Sequence, residues 1–161
     1  MSGARAVIGL IADTHGLLRP QVASVFAGVD FIVHAGDVGS AKVLATLSAI
    51  APVYAVSGNV DDRHDPALTS ERTLPAGALM LHVSHGDELG RPTPDALLAR
   101  YSADIIVYGH THRALVMRAG DGRLVVNPGA AGPRRFNLEP SVAVLTVDDR
   151  HAEVRIVSLA E

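Results

Sequence analysis

The sequence predicts an α/β fold: two mixed β-sheets packed as a sandwich and flanked by helices. Three observations carry this. Short apolar runs of strand length recur along the chain, the first third alternates them with helix-like stretches, and later runs come in pairs joined by glycine-containing turns. Alternation with helices implies parallel pairing, and close pairs imply antiparallel pairing. Two such sheets bury their apolar faces against each other, with helices outside.

Residues 5 to 12 read as a buried strand and Leu18 to Ala27 as a helix. A second strand covers 30 to 35. A helix over 40 to 50 follows, with Ser40 as its cap, and then a third strand at 52 to 57, completing βαβαβ. Residues 71 to 75 and 78 to 84 form a hairpin joined near Gly77, and Thr93-Pro94 open a helix over 93 to 101. A strand at 104 to 108 precedes a second hairpin, 114 to 118 and 123 to 127, around "AGDG". A closing pair spans 141 to 147 and 152 to 159. With no linker-like segment and no internal repeat, residues 1 to 161 are expected to form a single domain.

Composition narrows the chemistry. The chain has no cysteine, so disulfides and thiolate metal sites are excluded, and any metal must be held by His, Asp, Asn or Glu. The net charge of −3 gives no general nucleic-acid surface. No apolar run is long enough to span a membrane. The opening stretch "MSGARAVIGLIADTHG" is interrupted by Asp13 and lacks a cleavage pattern, so it reads as a first strand and the protein is expected to be cytoplasmic.

Polar residues fall at the ends of these strands. "VIGLIA" runs into Asp13 and His15, "FIVHAG" into Asp37, and "VYAVSG" into Asn59; "LMLHVS" runs into His85, and "IIVYG" into His110 and His112. Alternating side chains point both histidines of an extended His-x-His to one face, where they can hold one ion or one ligand each of two. Any one of these fragments would pass as an ordinary turn. Five in order, each at a strand end where ligands collect in layered α/β folds, point to a metal site.

"DTHG", "GD", "GN", "HGD" and "GHTH", followed by "NPG" at 127 to 129, resemble the calcineurin-like metallophosphoesterases, and most of all their compact bacterial and archaeal phosphodiesterase branch. The resemblance covers residues 5 to 134 and implies a two-sheet sandwich with a binuclear metal centre. It implies that Asp13, His15, Asp37 and His112 hold one ion and Asp37, Asn59, His85 and His110 the other, with Asp37 bridging. Asp37, Asn59, His110 and Asp61 are then the catalytic group, and a metal-bridging hydroxide attacks phosphorus in line. Two divalent ions, two carboxylates and a hydroxide sum to about +1, which favours a phosphodiester or phosphomonoester substrate despite the acidic chain. Manganese suits these oxygen and imidazole ligands; zinc, iron, nickel and cobalt are compatible with them.

The chain also departs from the family pattern. Larger members carry a histidine after the motif asparagine, where this chain has Val60, and Asp61 matches the compact branch's acidic residue. His64 is a candidate substitute acid, although a solvent-facing loop position is the simpler reading. His34 is a candidate partner behind the ligands, and His82 and His151 read as strand residues. Ala130 stands where the family often has serine, and Arg134 and Arg135 read first as surface residues that could also steady a phosphate. The competing function is a protein-interaction scaffold on the same fold with a vestigial site, as in the retromer subunit; all seven ligands are present here, which argues against it. The metallo-β-lactamase and amidohydrolase types need His-rich motifs that the Asp-x-His of the first strand does not supply.

Overall fold

The computed structural model describes residues 4–135 and 137–160. Two five-stranded sheets make up the fold. The first has the order β10-β9-β1-β2-β3, built from β1 (Arg5–Ile11), β2 (Phe31–His34), β3 (Val53–Ala55), β9 (Ser141–Asp148) and β10 (His151–Ser158). The second has the order β4-β5-β6-β8-β7, from β4 (Glu71–Ala76), β5 (Leu79–Ser84), β6 (Ile105–Val107), β7 (Leu115–Arg118) and β8 (Leu124–Asn127). Parallel pairs β1–β2 and β2–β3 meet antiparallel β1–β9 and β9–β10 in the first sheet. The second sheet mixes parallel β5–β6 and β6–β8 with antiparallel outer pairs, so both sheets are mixed, as expected.

Between the sheets lies an apolar core. Ile8, Leu10 and Val33 from the first sheet share it with Leu81, Val83, Ile105 and Val126 from the second. On the outer face of the first sheet, α1 (Gln21–Val25) and α2 (Ala41–Ser48) bury Val22, Val43 and Leu47 with Phe26, Ile32 and Val144. On the outer face of the second, α3 (Pro94–Arg100) packs Leu97 against Ile106, Tyr108 and Val125.

Local chemistry explains where the sequence expectations shift. The first helix starts at Gln21 and not Leu18, because Pro20 has no N–H to donate and disfavours helix in the residue before it. Ser40 occupies the cap position of α2 with extended backbone, but its side chain makes no capping hydrogen bond. Thr93 does cap α3, accepting from the N–H of Ala96 at 3.2 Å. A single 3-10 turn at Asp87–Leu89, absent from the sequence expectations, follows β5. No helix among the described residues is long and apolar enough to cross a membrane.

Candidate metal centre

Five strand-end loops converge at one edge of the sandwich. Among the described residues, six non-glycine residues have positive φ, and five of them are Asp13, His15, Asp37, His110 and His112. Left-handed backbone at such positions costs about 1 kcal/mol or more each, and Asp and His tolerate it better than most residues. The kink at each strand end turns the next side chains toward a common point. Tie bonds hold the kinks: Asp13 N–H donates to Gly36 O at 3.0 Å, His15 N–H to Asp37 O at 3.0 Å, and Gly109 N–H to His85 O at 2.9 Å.

Two groups of potential metal ligands result, Asp13-His15-His112 and Asp13-Asp37-His85, each with its ligand atoms within 4.8 Å of one another. Asp13 Oδ1 lies 3.4 Å from His112 Nε2 and 3.8 Å from both His15 Nε2 and His85 Nε2. Asp37 Oδ2 lies 3.3 Å from His85 Nε2 and 3.6 Å from His15 Nε2. Both carboxylates therefore sit between the two halves, and Asp13 shares the central place expected of Asp37. On the far side, His110 Nδ1 is 3.2 Å from Asn59 Oδ1 and 3.3 Å from His85 Nε2.

These spacings fit an ion better than they fit hydrogen bonds. All five of these imidazole–carboxylate separations exceed the usual 2.7–3.2 Å of N–H···O bonds. Ligands about 2.0–2.2 Å from a tetrahedral or octahedral ion stand roughly 2.8–3.6 Å apart. Asp13 Oδ1 and His15 Nε2 are buried and have no hydrogen-bond partner among the described residues. A buried carboxylate oxygen without a donor is costly unless a cation satisfies it. His85 donates Nδ1–H to Ala35 O at 2.8 Å, which leaves Nε2 with its lone pair for a metal.

The electrostatics follow from this crowding. Burial works against charging His85, but its hydrogen bond to Asp37 and the charges of Asp13 and Asp37 prevail and push its pKa up to about 9. Burial raises the Asp37 carboxyl, yet His85 and the N–H of Val60 more than offset it and hold it below its ordinary value. At His15 burial prevails over both carboxylates and lowers the pKa, helped by the charge of Arg135.

A second layer holds the ligands. Asp61 accepts three backbone N–H groups, from Gly58 at 2.9 Å, Val38 at 3.0 Å and Gly39 at 3.1 Å. It clamps the loop after Asp37 to the loop of Asn59, and its carboxylate makes no bond to a site histidine, so it acts as a positioning residue. His34 is buried and accepts Gly36 N–H at Nδ1; Nε2–H then points to Thr14 Oγ1 at 3.0 Å, which donates to Val38 O. Burial takes its pKa down to about 4, so it stays neutral. A Cβ at Gly58 would collide with Asp37 Oδ1, and one at Gly109 would come within 2.8 Å of Asp13 Oδ2.

Asn127 of "NPG" escaped assignment from sequence. Its side chain donates to Gly109 O at 3.1 Å and Thr111 Oγ1 at 3.0 Å and accepts from Gly129 N–H, locking the "GHTH" turn from behind. An asparagine at the end of an apolar run, directly before Pro128-Gly129, was the available signal. His64 is exposed, its side chain outside this network. Arg134 and Arg135 are exposed but share a small cleft with His112. His151 pairs with Glu153 at the surface, whereas His82 is buried on the outer face of the second sheet.

Residues 7–150 match the model of the calcineurin-like phosphoesterase superfamily domain. The "probable metallophosphoesterase" of Methanothermobacter thermautotrophicus is 30% identical over 94% of this chain and 91% of its own length. YsnB of Bacillus subtilis, also named a "probable metallophosphoesterase", is 33% identical over 94% of this chain and 90% of its own. Among solved structures, vacuolar protein sorting 29 from Cryptosporidium parvum matches with a TM-score of 0.80 at 22% identity, covering 98% of this chain and 100% of that one. A Streptococcus pneumoniae protein described as a predicted phosphoesterase matches with a TM-score of 0.73 at 24% identity, covering 96% and 90%. The structural likenesses establish the sandwich fold; the sequence matches, with five loops that bring two carboxylates, four imidazoles and an asparagine together, place this chain in the calcineurin-like phosphoesterase superfamily.

Proposed function

We propose that this protein is a binuclear metal-dependent phosphodiesterase acting on a small phosphodiester, with manganese as the working metal. The observation that carries the reading is the pair of orphaned buried atoms, Asp13 Oδ1 and His15 Nε2, 3.8 Å apart, with His112 Nε2 3.4 Å and His85 Nε2 3.8 Å from the same carboxylate oxygen. Asp13, His15, Asp37 and His112 would hold one ion and Asp37, Asn59, His85 and His110 the other. Divalent ions bound there supply Lewis-acid charge for the phosphoryl oxygens and an activated water for in-line attack.

The chain's own residues do the rest. Asp13 and Asp37 supply the only carboxylates in the two ligand groups, so two divalent charges would be incompletely neutralised and a diester monoanion would be drawn in. The neutral asparagine and imidazoles leave that excess positive. Water adds across the P–O bond, giving a phosphomonoester and an alcohol, and the alcohol oxygen must receive a proton. Val60, exposed beside Asn59, has none to give. Solvent then protonates the departing oxygen, which favours substrates whose alcohol is a good leaving group.

The test is hydrolysis of bis(p-nitrophenyl) phosphate and p-nitrophenyl phosphate by chelated protein with manganese, zinc, cobalt, nickel or iron restored singly. Chelation is expected to abolish turnover, manganese to restore it best, and the diester to be cleaved faster than the monoester. Full turnover by metal-free protein overturns the metal mechanism, and a dominant monoesterase activity overturns the substrate class.

A further inference from the structure

Beside the metal centre, on its Asn59 and His85 side, lies a cavity of about 550 Å³. Ser57 and Gly58, which lead into Asn59, form one wall, and Asp87, two residues after His85, stands on another. Gly58 lines this cavity and also packs against the metal centre, since a Cβ there would strike Asp37 Oδ1. The volume far exceeds what a phosphate needs and falls in the range of organic-ligand pockets, roughly 300–1,000 Å³.

The lining selects the chemistry. Arg63 and Arg100 offer guanidinium donors and Glu71 and Asp87 carboxylate acceptors, while the hydroxyls of Ser57 and Thr69 donate to Thr69 O at 3.5 Å and Glu71 O at 3.0 Å and keep only acceptor capacity. Glu88 is spent internally, accepting from Gly86 N–H at 2.9 Å and Tyr101 OH at 2.7 Å. The one aromatic in the lining, Tyr101, is already engaged: His82 stacks on it with centroids 3.8 Å apart, and the Arg100 guanidinium sits 5.7 Å from its centroid. With an imidazole stacked on it and a guanidinium close by, this ring is a poor platform for a base or an aryl group. Donors and acceptors mixed in this way match a group rich in hydroxyls, each of which both donates and accepts.

A second recess of about 420 Å³ adjoins the first across Glu71, Arg100 and Tyr101. His82 lines it. That side chain is more than nine-tenths buried, yet its Nε2 has no hydrogen-bond partner among the described residues and stands 3.8 Å from Glu71 Oε2. A buried ring nitrogen left unpaired is a position awaiting a polar partner.

We infer that this cavity is a subsite for a polyol or sugar arm of the phosphodiester, held by Arg63, Glu71, Asp87 and Arg100, with the His82 recess receiving a further hydroxyl of a longer arm. The inference rests on the phosphodiesterase reading. It adds that the substrate is a diester of a hydroxyl-rich alcohol and not an aromatic one.

Its test compares kcat/KM for glycerophosphoglycerol and bis(p-nitrophenyl) phosphate in manganese-loaded wild type, Arg63→Ala and Glu71→Gln. Because each variant is compared with wild type on the same substrate, the intrinsic reactivity of the two esters cancels. Losing a hydrogen bond to a charged group is expected to lower the polyol-to-aryl ratio by about tenfold or more. A ratio unchanged in both variants overturns the subsite. If wild type cleaves neither diester, the phosphodiesterase reading fails by itself, and calorimetric titration of glycerophosphoglycerol into the metal-loaded protein decides the subsite. Binding weakened in Arg63→Ala upholds it; no binding, or binding indifferent to Arg63, overturns it.

Discussion

The backbone N–H of His110 donates to Asp13 Oδ2 at 3.1 Å, while the other oxygen of that carboxylate is buried, has no hydrogen-bond donor among the described residues and faces three imidazole nitrogens. One side chain thus ties the first strand end to the histidine loop 97 residues later and keeps an oxygen free for a cation.

The two oxygens can be separated by substitution. Asp13→Asn keeps an acceptor for the His110 N–H but loses the charge. Wild type should gain about 2.7 kcal/mol of stability at a manganese concentration 100 times Kd. Asp13→Asn should gain almost none of this. Asp13→Ala should in addition melt below Asp13→Asn in metal-free buffer, because an unsatisfied N–H costs about 1–3 kcal/mol. Thermal melts with and without manganese, with metal analysis, check both; equal metal-induced shifts in wild type and Asp13→Asn would remove Asp13 from the ligand set.

The raised pKa of His85 makes metal binding and metal-free stability respond to pH in opposite senses. In the metal-free chain the proton is held until about pH 9, and a metal needs the neutral ring. Apparent metal affinity should therefore rise with pH up to about 9, by about tenfold per unit for this proton, and binding at pH 7 should release a proton from His85. A pKa raised on folding stabilises the metal-free fold fully below the unfolded value of about 6.5, and that contribution disappears as pH rises through 9. Metal-free protein should melt progressively lower between pH 6.5 and 9. Titration calorimetry in buffers of differing ionisation enthalpy measures the proton release, and His85→Gln should abolish this pH-dependent component.

Asp61 offers a test of support without contact. Its carboxylate accepts from Gly58, Val38 and Gly39, so Asp61→Ala should lose about 1.5–3 kcal/mol of stability. Metal affinity should fall about 10- to 100-fold as the Asp37 and Asn59 loops separate. Asp61→Asn, which keeps one acceptor oxygen, should recover part of both. A loss of turnover with metal affinity and melting unchanged would instead make Asp61 a participant in the chemistry.

How much of this was legible follows from what each signal encodes. Apolar runs ending in Gly-associated turns marked the strand ends, because burial writes itself into residue type, and those ends carry Asp13, Asp37, Asn59, His85 and His110. The left-handed φ of five candidate ligands was not legible, since Asp and His adopt ordinary backbone far more often. Nor was the clamp made by Asp61: its partners are backbone N–H groups, and any sequence supplies those at residues 38, 39 and 58. Asn127 escaped for the same reason, being defined by what it reaches across a loop, whereas His34 was legible as a partner behind the ligands but its contacts to Gly36 and Thr14 were not. The order of the sheets, with β9 and β10 returning to β1, depends on pairings over more than a hundred residues that local periodicity does not report.

Val60 carries the final prediction. Its side chain is 54% exposed beside Asn59, and its N–H donates to Asp37 Oδ1 at 3.0 Å, so the backbone there is fixed while the side chain is free to change. Without a general acid, the rate should depend steeply on the stability of the departing oxygen, and aryl diesters should outpace alkyl diesters. Val60→His puts an imidazole where the larger relatives carry theirs. A well-placed acid is worth about 10²–10⁴-fold. The gain here belongs at or below the lower end, because Asp61, the expected orienting partner, has its oxygens committed to three backbone N–H groups. The variant should therefore raise kcat/KM for glycerophosphoglycerol several-fold more than for bis(p-nitrophenyl) phosphate, and only below the pKa of the new imidazole, since the protonated ring is the donor. If wild type cleaves both esters equally with chemistry rate-limiting, another residue supplies the proton, and His64→Ala, which changes an exposed loop histidine four residues from Val60, should then slow the alkyl ester selectively.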